Sequence, residues 1–315
     1  MSNVAAGTVW NLPNYLGELF TASQLQTPIL TMAGGLNGGG YEVDNFEFPV
    51  SQTYAHETAA QPSITETASL TAPTAISYVR AQEKNTCQIH QEQISLSYAK
   101  LSTSGRLSGV ATAGKAKVVT SEKDWQIMIA LQKIARDFEF SIIQGAYAIA
   151  TNAGVASTTR GLNAAAVVAS NTIAAGTVQL TKAHIQALLK LMYDDGAVFQ
   201  NPVMIVNSFQ KGIISNLYGY APTDRNVGGV NIKQIETDFG NIGVVLDSFQ
   251  STSVLTVADM AVVKIVSQPV PGKGNLFYEP LAKTGAGELG QVYGQLGLDY
   301  GPSFMHGTIT GLTTS

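Results

Sequence analysis

The stretch from Ser121 to Tyr147 constrains the fold more than any other, because its apolar residues recur at helical spacing over a long run. The residues that follow one another at three or four positions, and so share one helix face, are Ile127, Leu131, Ile134, Phe138 and Ile142. Trp125, Met128 and Ile129 widen this stripe. The charged residues that fall mostly on the other side are Lys123, Lys133, Arg136 and Glu139. The spacing predicts one long amphipathic helix.

The ends of this helix carry matching signals. Thr120 or Ser121 can cap the start, and Asp124 follows three residues after Ser121 as in a weak capping box. Gly145 is the first residue that weakens the helix. At about 1.5 Å per residue, some 25 residues form a rod of roughly 38 Å. A helix of that length is expected to be a scaffold on which other elements pack.

Composition limits the kind of protein. Charged residues make up 13% of the 315, about half of the usual share, which indicates that much of the surface is buried against partners. A net charge of −4 gives no overall attraction to nucleic acid or anionic membrane, although it does not exclude proximity to DNA. One cysteine excludes a disulfide framework. There is no run of 18 apolar residues and no signal-peptide pattern, so we expect no membrane association.

Residues 46–100 read as a long excursion of extended chain. Apolar residues alternate at Phe46, Phe48 and Val50, and again near Ile94 and Leu96, as in strands. Between these runs, residues 54–75 are rich in Thr, Ser, Ala and Gln and lack core-forming residues. The pattern predicts a two-stranded excursion with a polar tip. Because an isolated hairpin is marginal in water, a neighbouring chain is expected to stabilise it.

The N-terminal 45 residues read as an arm. Tyr15, Leu19 and Phe20 lie on one face of a short predicted helix, with no core beside it in the sequence. A glycine-rich hinge follows, from Gly34 to Gly40. We therefore expect residues 1–33 to leave their own subunit and pack on a neighbour.

The second half of the chain predicts a mixed α/β unit. After residues 148–180, which read as loops and short strands, Thr181 caps a helix that runs to about Met192. A buried strand (203–206), a helix (209–218), an exposed loop (220–229) and a hairpin (230–248) follow. Extended segments then continue to residue 312, with Val292, Leu296, Leu298 and Tyr300 on one side of a strand.

No constellation of residues indicates catalysis, a cofactor or a metal. His56, His90, His184 and His306 have no ligand spacing, and each reads as a surface or half-buried residue. Cys87 reads as a half-buried thiol. The run from Gly109 to Lys115 nearly matches a phosphate-binding loop, but Ala116 replaces the hydroxyl residue such a loop needs. The Asp194–Asp195 pair reads as a solvated helix end.

Three segments carry a resemblance to a known family. The run from Asn85 to Ser97 looks like a return strand that leads towards a spine helix, and Arg136 to Glu139 before Gly145 looks like the end of that helix. The most specific run is Leu276–Gly285, which looks like a strand-to-turn segment. In this order of parts the chain resembles the major capsid proteins of tailed double-stranded DNA bacteriophages, which have the Hong Kong ninety-seven-type fold.

The resemblance implies an α+β fold whose parts are an N-terminal arm, an extended β-hairpin loop, a peripheral domain with a long spine helix, and a mixed α/β axial domain. Their expected ranges are 1–45 for the arm, 46–88 for the loop, 89–180 with 263–315 for the peripheral domain (spine helix 121–147), and 181–262 for the axial domain. Asp224 and Arg225 correspond to the axial loop, where neighbouring subunits meet. With Tyr15, Leu19 and Phe20 they are the candidate assembly residues.

The resemblance also implies function and partners. It implies a structural protein without enzymatic activity or cofactor, which assembles into pentamers and hexamers of an icosahedral shell around the double-stranded DNA genome. The implied location is the virion, after assembly in the host cytoplasm, with portal, scaffold or decoration proteins as further partners. The alternatives left open are an encapsulin-like nanocompartment shell, another phage structural protein of the tail or decoration type, and an enzyme without a visible motif.

Overall fold

The computed structural model describes residues 26–36, 40–99, 101, 122–218, 233–283 and 285–314. The α-helices discussed below are α1 (Pro28–Met32), α2 (Glu66–Ser69), α3 (Glu122–Gln144), α4 (Leu162–Val168), α5 (Lys182–Asp194) and α6 (Ser208–Tyr218). The strands are β1 (Tyr41–Glu42), β2 (Glu47–Tyr54), β3 (Arg80–Thr86), β4 (Gln88–Ser97), β5 (Thr172–Ala174), β6 (Pro202–Val206), β7 (Gln234–Thr237), β8 (Gly240–Leu246), β9 (Leu255–Asp259), β10 (Lys264–Ser267), β11 (Leu276–Pro280), β12 (Gly287–Asp299) and β13 (His306–Thr310). The α+β fold class is confirmed.

The predicted long helix is present as α3, which has 23 residues and ends at Gln144. Ile134, Phe138 and Ile142 are buried as expected, each contributing about 1.5–3 kcal/mol relative to an exposed side chain. Met128 and Ile129 do not widen the buried stripe, because the sheet beneath covers a narrower face and leaves both exposed. Just past the helix end, the Gly161 N–H donates to the Gly145 carbonyl, and a side chain at Gly161 would clash with the last turn of α3.

A five-stranded sheet lies under α3. Its central strand β12 pairs along one edge with β10 and then β11, and along the other edge with β4; β1 pairs in parallel with β10. Strand β4 alternates as predicted, so that Ile94 and Leu96 pack with Val292 against Ala130 and Ile134 of α3. The opposite face of β4 is largely exposed.

The second layer is a six-stranded sheet in the order β5-β13-β9-β6-β8-β7. The predicted elements between 181 and 248 are found as α5, β6, α6 and the β7–β8 hairpin. Two strands from outside that range, β5 and β13, complete the sheet. Residues 148–180 contain the helix α4 as well as the expected loops and the short strand β5. A shared apolar cluster, which includes Phe138, Val203 and Tyr300, joins the two sheets.

The expectation that residues 1–33 leave their own subunit is wrong for residues 28–33. Helix α1 packs on α3 of the same chain, where Ile29 and Leu30 are buried in the apolar cluster that joins the sheets. The physical reason is a polar contact that sequence spacing did not reveal. Glu139 is fully buried rather than on the solvated side of α3, and it accepts hydrogen bonds from the backbone of α1.

Three predicted half-buried groups are more deeply buried than expected. Cys87 lies in a small cluster with Phe48 and Val266, and burial raises the pKa of its thiol to about 12, which keeps it protonated. His306 is fully buried, with its Nε2 at 2.6 Å from the Tyr300 carbonyl, and burial lowers its pKa. Burial also lowers the pKa of His90 to about 4. The imidazole rings of His306 and His90 are therefore neutral and lie in the core.

Candidate assembly surfaces

Strands β2 and β3 form a hairpin that is exposed towards its far end. The two strands pair from Glu47 opposite Thr86 to Tyr54 opposite Arg80, with a bulge between Pro49 and Ser51. An excursion of two strands was predicted from the sequence, but its second strand is β3, not the segment near Ile94 and Leu96, because β4 pairs with β12 in the five-stranded sheet. The strands begin at the five-stranded sheet, where Phe48 is buried, and end in solvent.

The connection between the two strands, residues 55–79, is exposed at every position. It contains the short helix α2, capped by Thr65, whose Oγ1 accepts a hydrogen bond from the Ala68 N–H at 3.2 Å. Leu70 and Val79 are 84% and 82% exposed, and Ile64 is also largely exposed. Ordering 25 residues without a core costs more conformational entropy than local contacts return. Contacts within the described part of the subunit therefore do not offset the cost of ordering this segment.

Three aromatic rings close the neck of the connection. The rings of Tyr54 and His56 meet edge to face at 5.1 Å between centroids, and His56 meets Tyr78 at the same distance. Such pairs are worth about 0.5–1.5 kcal/mol each beyond their area. The neck is thus held together within the subunit, while no comparable ring contact to residues 57–77 is found among the residues that the structure describes.

The base of the hairpin is anchored by Asn85. Its side chain is fully buried, and its Nδ2 donates to the carbonyls of Arg160 at 3.1 Å and Leu298 at 2.6 Å. Its Oδ1 accepts from the N–H groups of Arg160 at 2.7 Å and Thr86 at 2.9 Å. One amide therefore ties β3 to the chain after α3 and to β12. No spacing rule identifies this residue, because its partners lie 75 and 213 residues away.

Further polar contacts surround the same base. The Ser303 hydroxyl donates to Glu83 at 2.5 Å, and Arg160 donates to the Tyr300 hydroxyl at 2.9 Å. The Arg160 guanidinium also stacks over the Tyr147 ring at 4.8 Å from its centre. The Glu83 contact joins β3 to Ser303, and Asn85 joins β3 to Arg160, which Tyr300 and Tyr147 hold in turn. These contacts support the base of the hairpin.

The outward side of α3 offers an apolar surface that could receive such a projection. Met128, Ile129 and Phe140 are all exposed there, with Phe140 48% accessible. Two lysines of this helix are paired, Lys133 with Glu92 at 2.5 Å and Lys123 with Glu288 at 3.4 Å. Asp137, one turn before Phe140, is exposed, so this surface combines apolar and charged side chains.

The five candidate assembly residues named from the sequence, Tyr15, Leu19, Phe20, Asp224 and Arg225, lie outside the described residues, as does the near match to a phosphate-binding loop around Gly109. Sequence reasoning missed Asn85 as an anchor and Glu139 as a buried group. The Asp194–Asp195 pair is exposed at the end of α5, as predicted, and Lys190 pairs with Asp194.

Within the described ranges, no group of three or more His, Cys, Asp or Glu side chains is placed to hold a metal ion. None of the helices described combines the length and the apolar character needed to cross a membrane.

Comparisons with known proteins agree over the whole chain. The family model of the SU10 major capsid protein matches residues 2–313. Among solved structures, the chain is similar to the capsid asymmetric unit of Cyanophage A-1(L), with a TM-score of 0.67 at 16% identity over 96% of this chain and 98% of that one. No curated protein matches.

Two other solved structures share the fold. The capsid of the native GTA particle aligns with a TM-score of 0.56 at 13% identity, covering 98% of both chains. The SrpI encapsulin of Synechococcus elongatus PCC 7942 aligns with a TM-score of 0.54 at 10% identity, covering 97% of this chain and 93% of that one. The family match and the shared fold lead to the same conclusion: the chain belongs to the SU10 major capsid protein family and is a phage major capsid protein.

Proposed function

We propose that the subunit assembles into pentamers and hexamers that close into an icosahedral shell around a double-stranded DNA genome. The match of the capsid family model to residues 2–313 carries this proposal. The exposed connection 55–79 supports it, because such a segment needs a second surface and a shell supplies one at every subunit. As a capsid protein the chain is part of the virion.

We further propose that the chain has no enzymatic activity and that it assembles in the host cytoplasm. Portal, scaffold or decoration proteins are expected partners, and packaged DNA is a non-specific neighbour of the inner surface. In this proposal the peripheral unit consists of α3 and the five-stranded sheet. The axial unit consists of residues 181–262, and β5 and β13 complete its six-stranded sheet. Residues 1–45 form the arm and 46–88 the extended loop in this proposal.

Electron microscopy of purified particles tests the proposal. Closed shells built from pentamers and hexamers are expected, with nuclease-protected DNA inside when they come from infected cells. Shells that instead hold a protein cargo would favour the encapsulin-like nanocompartment; an encapsulin is among the solved structures with this fold. Tubes or isolated trimers would favour a tail or decoration component and contradict the proposal.

The arm residues Tyr15, Leu19 and Phe20 are proposed to dock on a neighbouring subunit. Changing all three to Ser should leave circular dichroism and melting of the free subunit unchanged and reduce shell yield at least several-fold. Changing Glu18 and Gln24 to Ser is the control. Normal shell yield from the triple variant would contradict the arm's role.

The axial loop is proposed to place Asp224 of one subunit beside Arg225 of the next around each capsomer. An exposed ion pair is worth about 0.2–1 kcal/mol, but it repeats five or six times in a ring. Arg225→Glu alone should weaken capsomers, and the exchange Asp224→Arg with Arg225→Glu should restore much of their stability. Capsomer dissociation against salt concentration measures this. Equal weakening by the single and double changes would exclude the pairing.

A further inference from the structure

Strand β4 lies at an edge of the five-stranded sheet, and one side of it has no partner strand among the described residues. The strand has ten residues, Gln88–Ser97, and pairs there with β12 alone. The chain leading into β2 reaches only as far as Cys87, whose N–H donates to the Phe46 carbonyl at 2.8 Å. The outer side of β4 is therefore a long sheet edge that the described part of the subunit leaves open.

Backbone hydrogen bonds on the two sides of β12 show which residues of β4 face this open edge. The Gln268 N–H donates to the Gln295 carbonyl at 3.1 Å, so odd-numbered residues of β12 bond towards β10. On the other side, the Tyr98 N–H donates to the Ala286 carbonyl at 3.2 Å, in the register that pairs even-numbered residues of β12 and β4. Because bonded and non-bonded pairs alternate in antiparallel strands, the odd-numbered residues of β4 point their backbone groups outwards. These residues are Ile89, Gln91, Gln93 and Ser95.

The outward N–H and C=O groups of these four residues have no hydrogen-bond partner in the part of the chain that is described. Their side chains lie on the face of the sheet opposite α3, because Ile94 and Leu96 occupy the α3 face and side chains alternate along a strand. All four are exposed, and Ile89 is 56% accessible. A row of open backbone donors and acceptors is a template for another strand.

Strand β4 lacks the features that normally keep an open edge from pairing. Its sequence, QIHQEQISLS, has no Pro, Lys or Arg, and its pairing with β12 runs from Gln88 to Ser97 without a bulge. Its one acidic residue, Glu92, is paired with Lys133 of α3. Natural sheets protect exposed edges with Pro, with charges or with bulges. The edge of β4 is instead regular and uncharged along its outward residues, so it is suited to receive a strand.

We propose that β4 pairs antiparallel with β4 of a second copy of this chain, around a two-fold axis at Gln93. The two edges are identical, so each supplies the donors and acceptors that the other leaves open. About six backbone hydrogen bonds would form within the pairs that join Gln91, Gln93 and Ser95 across the axis. This inference rests on the proposed assembly, because it requires copies that meet edge to edge, and it names one surface on which they meet.

The side chains of β4 fit this register. Gln93 lies opposite Gln93 of the second copy, and Gln91 lies opposite Ser95, so neutral polar side chains face each other on the exposed side. On the other side, Glu92 lies opposite Ile94. No like charges therefore meet across the axis, whereas an axis moved by one residue, to Glu92, would place two carboxylates directly opposite each other.

A strand from the exposed connection 55–79 of a neighbour fits this edge less well. Pro73 has no N–H to donate to a strand, which leaves 76–79 as the strand-like run before β3. That run is less than half as long as β4, and it is not self-complementary with it. A second β4 offers the longer and better matched pairing.

Cysteine substitution in the full-length chain tests the pairing in assembled particles. Across a hydrogen-bonded antiparallel pair the Cα atoms are about 5.5 Å apart, which a disulfide can span. Gln93→Cys should therefore give disulfide-linked dimers on mild oxidation, detected on a non-reducing gel. Gln91→Cys is the matched control, because its two copies would be about 14 Å apart and should not link. The wild-type chain should also stay unlinked, since Cys87 is fully buried.

Charge exchange at the axis gives an independent test. Gln93→Lys and Gln93→Glu each place like charges opposite each other, so each variant alone should lower particle yield roughly threefold. Mixing the two variants in equal amounts should restore the yield, because unlike charges then meet at the axis. Only a contact in which residue 93 faces itself predicts this rescue.

The β4 pairing is overturned if closed particles of Gln93→Cys show no linked dimers, or if Gln91→Cys links equally well. It is also overturned if the mixture of Gln93→Lys and Gln93→Glu yields no more particles than either variant alone. In each of these cases the proposed shell still stands. If the wild-type chain forms no particles, the proposed shell fails, and the same disulfide assay on free subunits decides the pairing.

Discussion

Replacing residues 57–77 with a short glycine–serine turn is expected to abolish closed shells while the subunit stays folded. The replaced segment is exposed throughout and lies beyond the Tyr54, His56 and Tyr78 rings, which the change retains. No residue of this segment belongs to an apolar cluster of the described part of the subunit. We therefore expect its contribution to come from contacts with a neighbour that involve the spine helix α3 or the five-stranded sheet. Each contact is weak, but the shell repeats it at every subunit.

The measurement combines circular dichroism of the subunit with shell yield and shell melting temperature. Far-ultraviolet signal should be retained, and closed shells should be absent or melt well below wild type. A matched variant keeps the full length of the connection but changes Ile64, Leu70 and Ile76 to Ser. It separates the effect of losing apolar contacts from the effect of shortening the connection. Shortened subunits that give wild-type shell yield and melting would contradict an intermolecular role for the loop.

Asn85→Ala is expected to destabilise the subunit by about 3–5 kcal/mol. The change removes four hydrogen bonds and leaves two carbonyls and two N–H groups without partners in a place that water does not reach. Because these bonds join β3 to β12 and to Arg160, the direction of the hairpin should loosen as well. Even the lower figure is a large share of a typical unfolding free energy.

Urea unfolding of the free subunit measures this effect, with Asn241→Ala as the matched control. Asn241 is exposed in β8, so its removal should change the unfolding free energy by less than about 0.5 kcal/mol. Asn85→Asp is a sharper test, because it keeps the shape but loses both donated bonds and brings a charge towards two carbonyls. If the Asn85→Ala subunit were as stable as the control, Asn85 would not be an anchor of the hairpin.

Regular spacing explains which elements could be predicted. The three- and four-residue recurrence around Ile134 and Phe138 gave α3, and the alternation around Phe48 and Ile94 gave β2 and β4, because both signals are local to one element. The resemblance carried by Leu276–Gly285 then gave the family. The element types in 181–248 followed from caps, glycines and short apolar runs in the same way.

Contacts between distant segments could not be predicted. Glu139 was placed on the solvated side of α3 from its charge and spacing, yet it is buried because α1 brings two N–H groups to it. The sequence of α1 shows a Pro, a Thr and three apolar residues, with nothing that indicates a carboxylate partner. Asn85 could not be predicted for the same reason. Its side chain binds backbone groups of three segments that come together only in the folded chain.

The position of β12 has a consequence for the order of events during synthesis. It pairs with β4 so closely that Gln91 and Gln291, 200 residues apart in sequence, share a hydrogen bond, and β13 likewise lies inside the other sheet between β5 and β9. At about 5–20 residues per second, the ribosome needs roughly 10–40 s to supply the partner of β4. Until then neither sheet is complete. Both sheets can therefore form fully only after β12 and β13 have been synthesised.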